Sequence, residues 1–334
     1  MHSVAVIILN WNGIEDTFSC LESVNKQTYN DFKIIVVDNG STNKSVDALH
    51  SLPKKDNVTI LYNEKNLGFA GGVNTGITWA IENNITHVAL LNNDAIVEKD
   101  WLKNLTQRID DKEIGISTSL ILHEDGKTID STGDFYSIWG IPSPRLRDEE
   151  SILTPSSSYV FGASGGASLY SVTMLQKIGL FDEDFFAYYE DVDISFRAQL
   201  AGYKVYYNKD AVVYHQQGAS SSKVSGFTTV QAFKNLPLLF WKNVPLALLM
   251  PIGARFLLIY TLMYFNAIRR GDGLYATQGL VKSIGLFWSS SLWKRFNIQR
   301  SKVVSSSYIR SIISSELPPQ SSLRKFSSLF KGAK

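Results

Sequence analysis

Cysteine is nearly absent. Cys20 is the only one in 334 residues, which excludes an internal disulfide framework and suits a reducing compartment. Five histidines occur without any Cys/His cluster, so a structural zinc site is not expected. Residues 10–25 contain no Lys or Arg, whereas a nucleotidyltransferase would carry a Gly-rich basic loop there. No internal repeat is visible. The apolar run Val4–Leu9 is too short for the core of an export signal, and no basic residue precedes it. It reads as a buried strand, and no export is expected from it.

Charge is scarce at 19% and unevenly placed. Residues 1–265 carry 21 Lys and Arg against 29 Asp and Glu, while residues 266–334 carry 12 against Asp272 and Glu316. The basic residues are spread through an apolar segment rather than a polar arm. That layout does not suit nucleic acid, and it does suit an anionic membrane surface.

Short apolar runs, each ending in a polar turn, make up the first hundred residues. Val4–Leu9 ends at Asn10-Trp11-Asn12-Gly13, and Lys33–Val37 at Asp38-Asn39-Gly40-Ser41. Val58–Tyr62 ends at Asn63, and His87–Leu91 at Asn92-Asn93-Asp94. Such runs are expected of parallel strands covered on both faces. Helical patterns over Thr17–Lys26, Ser45–Leu52 and Gly71–Glu82 separate them. The alternation predicts an α/β fold with a mainly parallel sheet, whose ligands bind at the carboxyl ends of the strands. Further on, Val160–Tyr170 reads as one strand rich in small residues, where another group must approach the backbone closely. Helices are expected over Ser171–Ile178 and Glu190–Ala201, with closing strands over Val205–Tyr207 and Ala211–Tyr214. Gly218–Gly226 reads as a mobile loop. A domain over residues 1–235 is followed by an apolar and basic helical region, 236–334, with an amphipathic stretch at Leu280–Phe296 and a break at Pro318-Pro319.

Four constellations carry chemistry. Asn10 and Trp11 end the first strand beside Asp38 at the end of the second, where a carboxylate and amides suit a nucleotide base and ribose. The plainer reading of Asp38 is a helix cap. Asn92-Asn93-Asp94 ends a strand, and Asp94 there suits Mg²⁺ or Mn²⁺, although an Asx turn would look the same. Glu190, Asp191 and Asp193 follow an aromatic run at a helix N-terminus, which the helix dipole favours. Asp193 and Arg197 stand four apart and form a structural pair, leaving Glu190 or Asp191 as a general base. His215 ends the closing strand, a plausible place for a metal ligand.

The order of these four resembles the family 2 glycosyltransferases of the GT-A fold, and among them the bacterial rhamnosyltransferase-like members. The matching segments are Val4–Gly13, Ile34–Thr42, Asn63–Gly76, Ala89–Val97, Gly162–Tyr170 and Ile178–His215, within residues 3–245. The resemblance implies that Asp38 contacts the nucleobase with Asn10 nearby, and that Asn66 and Asn74 continue the nucleotide pocket. It makes Asn92 and Asp94 the two ends of a DXD-like motif, with Asp94 a metal ligand and Asn92 a departure from the commoner aspartate. His215 matches a further metal or diphosphate contact, and Asp191 the catalytic base. The activity implied is metal-dependent inverting transfer from a nucleotide-sugar, with dTDP-L-rhamnose favoured, to a lipid-linked or growing surface polysaccharide. A non-catalytic nucleotide-sugar-binding protein is the competing class, and it would predict the loss of Asp94 or Asp191.

Pro245–Phe265 is long enough to cross a bilayer. Arg255 at its centre would cost about 2.5–3.5 kcal/mol on the insertion scale, and one crossing would put the basic residues on the wrong side. The expected placement is therefore in-plane or re-entrant, at the cytoplasmic face of the bacterial inner membrane. A homo-oligomer interface is the alternative.

Overall fold

The computed structural model describes residues 2–52, 55–216 and 224–316. The serine-rich stretch from Gly218 and the Pro318-Pro319 break therefore lie, for the most part, outside the described residues. Two compact units result. The first holds Met1–Asp134 and Pro144–Lys223, and the second Phe135–Ser143 and Val224–Lys334.

The first unit is a mixed α/β sheet with helices on both faces. Strands β1 (Val4–Asn10), β2 (Phe32–Asn39), β3 (Val58–Asn63) and β4 (His87–Asn92) pair in parallel in the order β4-β1-β2-β3. Helices α1 (Ile14–Val24), α2 (Ser45–His50) and α3 (Gly68–Glu82) connect them. The remaining strands are β5 (Ala95–Val97), β6 (Ile114–His123), β7 (Ile129–Ser131), then β8 (Asp134–Tyr136) and β9 (Pro142–Pro144), which form a separate two-stranded sheet mostly within the second unit, and β10 (Ser158–Val160), β11 (Ala167–Ser171) and β12 (Lys204–His215). β11 joins the sheet antiparallel, between β4 and β6, and β12 runs parallel to β6. Between β5 and β12 lie α4 (Trp101–Leu105), α5 (Val172–Ile178) and α6 (Glu190–Leu200).

The pleat decides which residue enters which core. Ala5, Ile7, Ile35, Val37, Val88 and Leu90 pack with Ala70, Val73 and Ile77 of α3 on one face. Their neighbours Val4, Val6, Ile8, Ile34, Val36 and Leu91 pack with Cys20, Leu21 and Val24 of α1 on the other. Both sets are buried, so the strands read as continuous apolar runs rather than alternating ones. Each Val, Leu or Ile among them contributes about 1.5–3 kcal/mol on burial. The glycines at the start of α3 let it lie close to the sheet: a Cβ at Gly72 would stand 2.5 Å from Leu9 Cδ1.

Two expectations are corrected. Val160–Tyr170 is not one strand: β10 ends at Val160, Gly162 makes an isolated bridge with Asp134, and a turn at Gly165–Gly166 precedes β11, which begins at Ala167. The two closing strands are one, β12, with a register shift against β6 between Asn208 and Val212. Asn208 donates to Asn104 O at 2.8 Å, and its Oδ1 accepts the Asp210 amide at 3.0 Å. A bulge absorbs this polar interruption without ending the strand.

The second unit contains α7 (Phe227–Asn243), α8 (Leu246–Arg269), α9 (Gly273–Leu286), α10 (Leu292–Arg300) and α11 (Ser306–Ile312). Helix α7 runs through residue 235, where composition alone places a region boundary. The expected amphipathic stretch Leu280–Phe296 is the end of α9, one π-helical turn over Phe287–Ser291, and the start of α10. Arg295 donates to Trp241 O and, at 3.0 Å, to Val244 O. Gln299 donates to Asn243 O at 2.9 Å. These bonds satisfy carbonyls left open at the end of α7.

Candidate functional site

Parallel register brings the polar turns together. Asn10 is the partner of Asp38 across β1 and β2, and Leu9 is the partner of Asn92 across β1 and β4. Asn10 is buried, and its Nδ2 donates to Asp38 Oδ2 at 2.7 Å and to Ser41 Oγ at 3.2 Å. Its Oδ1 accepts from Thr17 Oγ1 at 3.0 Å. Asp38 Oδ1 accepts the Ser41 amide at 3.0 Å. An ionised carboxylate has about four lone-pair sites, so Asp38 retains acceptor capacity at this edge. Trp11 is half-buried in the same turn.

Asn66 and Asn74 are placed differently. Asn66 Oδ1 accepts the Gly68 amide at 2.8 Å and Asn39 Nδ2 at 3.1 Å. Asn39 itself accepts from Asn63 Nδ2 and the Leu67 amide. Asn74 clamps the Phe181 backbone, accepting its N–H at 3.0 Å and donating to its carbonyl at 2.8 Å. Asn66 thus holds the Gly68 turn and Asn74 the Phe181 backbone through bonds internal to the protein. Asn39, which motif spacing does not single out, ties three of these segments together.

Asp94 and His215 do meet. Asp94 Oδ1 lies 3.1 Å from His215 Nε2, and Asn92 Nδ2 lies 3.2 Å from the same nitrogen. The other ring nitrogen, Nδ1, is 2.9 Å from Asp130 Oδ2. Asp130 in turn accepts from Arg147 Nη2 at 2.6 Å through Oδ1, and its carbonyl accepts from Arg147 Nε at 3.1 Å. Burial opposes a charged His215, but the hydrogen bonds and charges of Asp130 and Asp94 outweigh it and push the imidazole up to about 9. For Asp130, burial is likewise outweighed by His215 and Arg147, which hold its carboxyl below the usual range.

Among the described residues no three His, Cys, Asp or Glu side chains gather to hold a metal ion by themselves. Asp94 and His215 form an oxygen–nitrogen pair 3.1 Å apart. Adjacent ligands about 2.1 Å from an octahedral ion stand about 3.0 Å apart, so this pair fits two positions of a divalent cation. Phosphate oxygens and water would complete the set, as is usual for Mg²⁺ at phosphate sites.

The third constellation is built on strain. Phe186, Tyr188 and Tyr189 have φ of 60°, 69° and 71°, a left-handed conformation that is costly for such residues. Asp193 and Arg197 lie just beyond, fully buried, with Nε to Oδ2 at 2.8 Å. Arg197 also donates to the carbonyls of Ile178, Gly179 and Leu180. Removing one partner of such a pair costs about 3–5 kcal/mol, so these two side chains are structural. Glu190 is 5% exposed, whereas Asp191 is half-buried and more open to a ligand. Asp191 accepts the Gly165 amide at 2.9 Å and the Val192 amide at 2.8 Å. Burial raises its carboxyl above the usual range, although those backbone N–H groups oppose the shift. Asp134, deeply buried and near Asp191, is pushed up to about 8, chiefly by burial and then by the Asp191 charge.

The glycine turn joins the two acidic groups. A Cβ at Gly165 would stand 3.3 Å from Asp191 Cβ, and one at Gly166 would stand 3.3 Å from Asn92 Nδ2. A strip of bare backbone therefore runs from Asp191 to Asn92, whose Nδ2 lies 3.2 Å from His215 Nε2.

A family model described as Glycosyl transferase family 2 matches residues 5–179. The chain is 25% identical over 204 residues to a low-salt glycan biosynthesis hexosyltransferase of Haloferax volcanii, covering 60% of this chain and 62% of that protein. It is 26% identical over 196 residues to a dTDP-rhamnosyl transferase of Shigella flexneri, covering 58% and 62%. The chain thus spans about three fifths of the length of these relatives. A mannosyltransferase of Pyrobaculum calidifontis, solved in complex with GDP-Man and Mn²⁺, superposes with a TM-score of 0.53 at 14% identity. That superposition covers 92% of this chain and 82% of the mannosyltransferase, and it shows the fold alone.

Proposed function

The chain belongs to glycosyl transferase family 2, and from that premise we propose that it is a metal-assisted inverting glycosyltransferase acting on a nucleoside-diphosphate sugar. The observation that carries this reading is the glycine strip, with the Asp94–His215 pair at one side and Asp191 at the other. Asp38, held by Asn10 and Ser41, takes the nucleobase, with Trp11 beside it. Asp94 and His215 hold Mg²⁺ or Mn²⁺, which when bound offsets the charge of the diphosphate. Asn92 bonds the ribose or the diphosphate.

Asp191 removes the proton of an acceptor hydroxyl as its oxygen bonds to the anomeric carbon. The bond from that carbon to the diphosphate oxygen breaks, and the nucleoside diphosphate leaves with the electron pair. Attack from the opposite face inverts the centre, so a single carboxylate suffices. Glu190, more deeply set, supports the helix N-terminus beside it.

The proposed donor is dTDP-L-rhamnose, supported by the likeness to the Shigella protein, and the acceptor a lipid-linked or growing polysaccharide. Incubating the protein with dTDP-, UDP- and GDP-sugars, with Mn²⁺ or with EDTA, tests this through released nucleoside diphosphate. Metal-dependent release of dTDP is expected. Equal background release from every donor would sink the catalytic reading, and preferred release of UDP or GDP would overturn the rhamnose assignment alone.

The second unit is proposed to lie on the cytoplasmic face of the bacterial inner membrane. Among the described residues α8 alone is long and apolar enough to cross a bilayer, by length and composition. It is fastened to α7 through Phe240–Phe256 and Phe233–Tyr260 ring contacts and a Tyr260 hydroxyl bond to Phe233 O at 2.8 Å. Arg255 stands within α8, which makes a crossing costly and favours an in-plane position. Leu246, Met250, Leu257, Phe265, Trp288 and Trp293 are exposed and apolar. Replacing both Trp288 and Trp293 with Glu is expected to reduce cosedimentation of the full chain with anionic vesicles at least tenfold. Unchanged cosedimentation, or a wild-type chain that ignores vesicles and self-associates, would favour a homo-oligomer interface.

A further inference from the structure

We infer that Asp130, held by Arg147, is a positioning residue that sets which nitrogen of His215 faces the cation. The inference rests on the assignment of Asp94 and His215 as ligands. Its geometry is a chain of four side chains. Arg147 Nη2 donates to Asp130 Oδ1 at 2.6 Å, Asp130 Oδ2 faces His215 Nδ1 at 2.9 Å, and His215 Nε2 faces Asp94 Oδ1 at 3.1 Å. Asp130 is 3% exposed, so its charge stays buried only because both oxygens meet donors.

The consequence concerns the imidazole tautomer. An ionised carboxylate is acceptor-only, so Asp130 keeps the ring proton on Nδ1. Nε2 then carries the exchangeable proton, shared with Asp94 Oδ1 at 3.1 Å, and a cation that displaces it finds the Nε2 lone pair already aimed beside Asp94. Histidine ligands commonly have their second nitrogen fixed by such an outer partner, and losing it costs about 10–100-fold in metal affinity. Arg147 sharpens the device. Its guanidinium occupies Oδ1 and also bonds the Asp130 carbonyl, so the carboxylate cannot turn away from the ring.

Asp130→Asn reverses the instruction. Arg147 retains the one remaining oxygen, because that bond is charge-assisted. The amide NH₂ then faces Nδ1, which must accept, and the ring proton moves to Nε2, where it blocks the ligand position. The fold changes little, since the shape and the Arg147 bond persist.

The test is Mn²⁺ affinity, read by electron paramagnetic resonance with dTDP present, for the wild type, Asp94→Ala, Asp130→Asn and Arg147→Gln. Metal-free dTDP affinity and the thermal midpoint are measured on the same samples. Asp130→Asn is expected to weaken Mn²⁺ about 10–100-fold with metal-free dTDP affinity unchanged. Arg147→Gln, which frees the carboxylate to turn, is expected to weaken it less. Wild-type Mn²⁺ affinity in Asp130→Asn, alongside its loss in Asp94→Ala, would overturn this inference and leave the ligand assignment standing. No Mn²⁺ bound by the wild type would overturn both. A loss in Asp130→Asn matched by an equal loss of metal-free dTDP affinity would make Asp130 merely structural and also overturn it. If Asp130→Asn does not fold, undiminished Mn²⁺ affinity in Arg147→Gln decides against the inference.

Discussion

Asp191→Asn is expected to lower the rate of sugar transfer by about 10²–10⁴-fold, the usual contribution of a general base, while donor affinity stays within a few-fold. The amide has the shape of the carboxylate but cannot take the acceptor proton. One structural cost has to be separated out. Both oxygens of Asp191 accept backbone N–H groups, from Gly165 and Val192, and an amide satisfies only one of them. Leaving one of these N–H groups without its acceptor costs about 1–3 kcal/mol, visible as a lower thermal midpoint rather than as a lost rate in the folded enzyme. The pH profile adds a second reading. Burial raises the Asp191 carboxyl above the ordinary carboxylate range, and a base acts only when deprotonated. Wild-type turnover should therefore fall, as pH is lowered, at a pH above about 4. Near wild-type turnover in the variant, or donor binding lost in step with rate, would remove Asp191 from the role of base.

Asp94→Ala is expected to abolish the strengthening of donor binding by Mn²⁺ or Mg²⁺, a loss exceeding about 100-fold, since even outer partners of a ligand are worth 10–100-fold. Affinity for donor in EDTA should be nearly unchanged, because the nucleobase side rests on Asp38 and its own partners. Folding should tolerate the change, as His215 keeps its bond to Asp130 at 2.9 Å. Calorimetric titration of donor with and without metal gives both quantities. Metal dependence that survives the substitution would exclude Asp94 as a ligand.

The parallel half of the sheet could be read from the chain because its cause is local. Val4–Leu9 and Lys33–Val37 are apolar on both faces, and each ends in a polar turn, which few structures other than a covered strand accommodate. The same locality made the positions of Asp38, Asp94 and Asp191 near a strand end or a helix start legible. The Asp193–Arg197 pair was legible for the same reason, being four residues apart on one helix.

Locality fails where a side chain's partner is remote. Asn66 and Asn74 flank a glycine run that suggests a ligand pocket, yet Asn74 holds Phe181 from 107 residues away, and nothing near it in the chain reveals that. The run Val160–Tyr170 has the composition of a strand, but its middle turns so that Gly165 and Gly166 come to lie between Asp191 and Asn92. Asp130 and Arg147 sit in a stretch of short strands with no motif, and Asp130 reaches His215 across 85 residues. The amino-acid sequence alone determined the four parallel strands and the presence of helices between them, because hydrophobic period acts over a few residues. Which of the polar groups meet one another, which brace the loops, and what His215 bonds were decided only by tertiary packing, because a buried polar group must find its partner wherever the fold puts one.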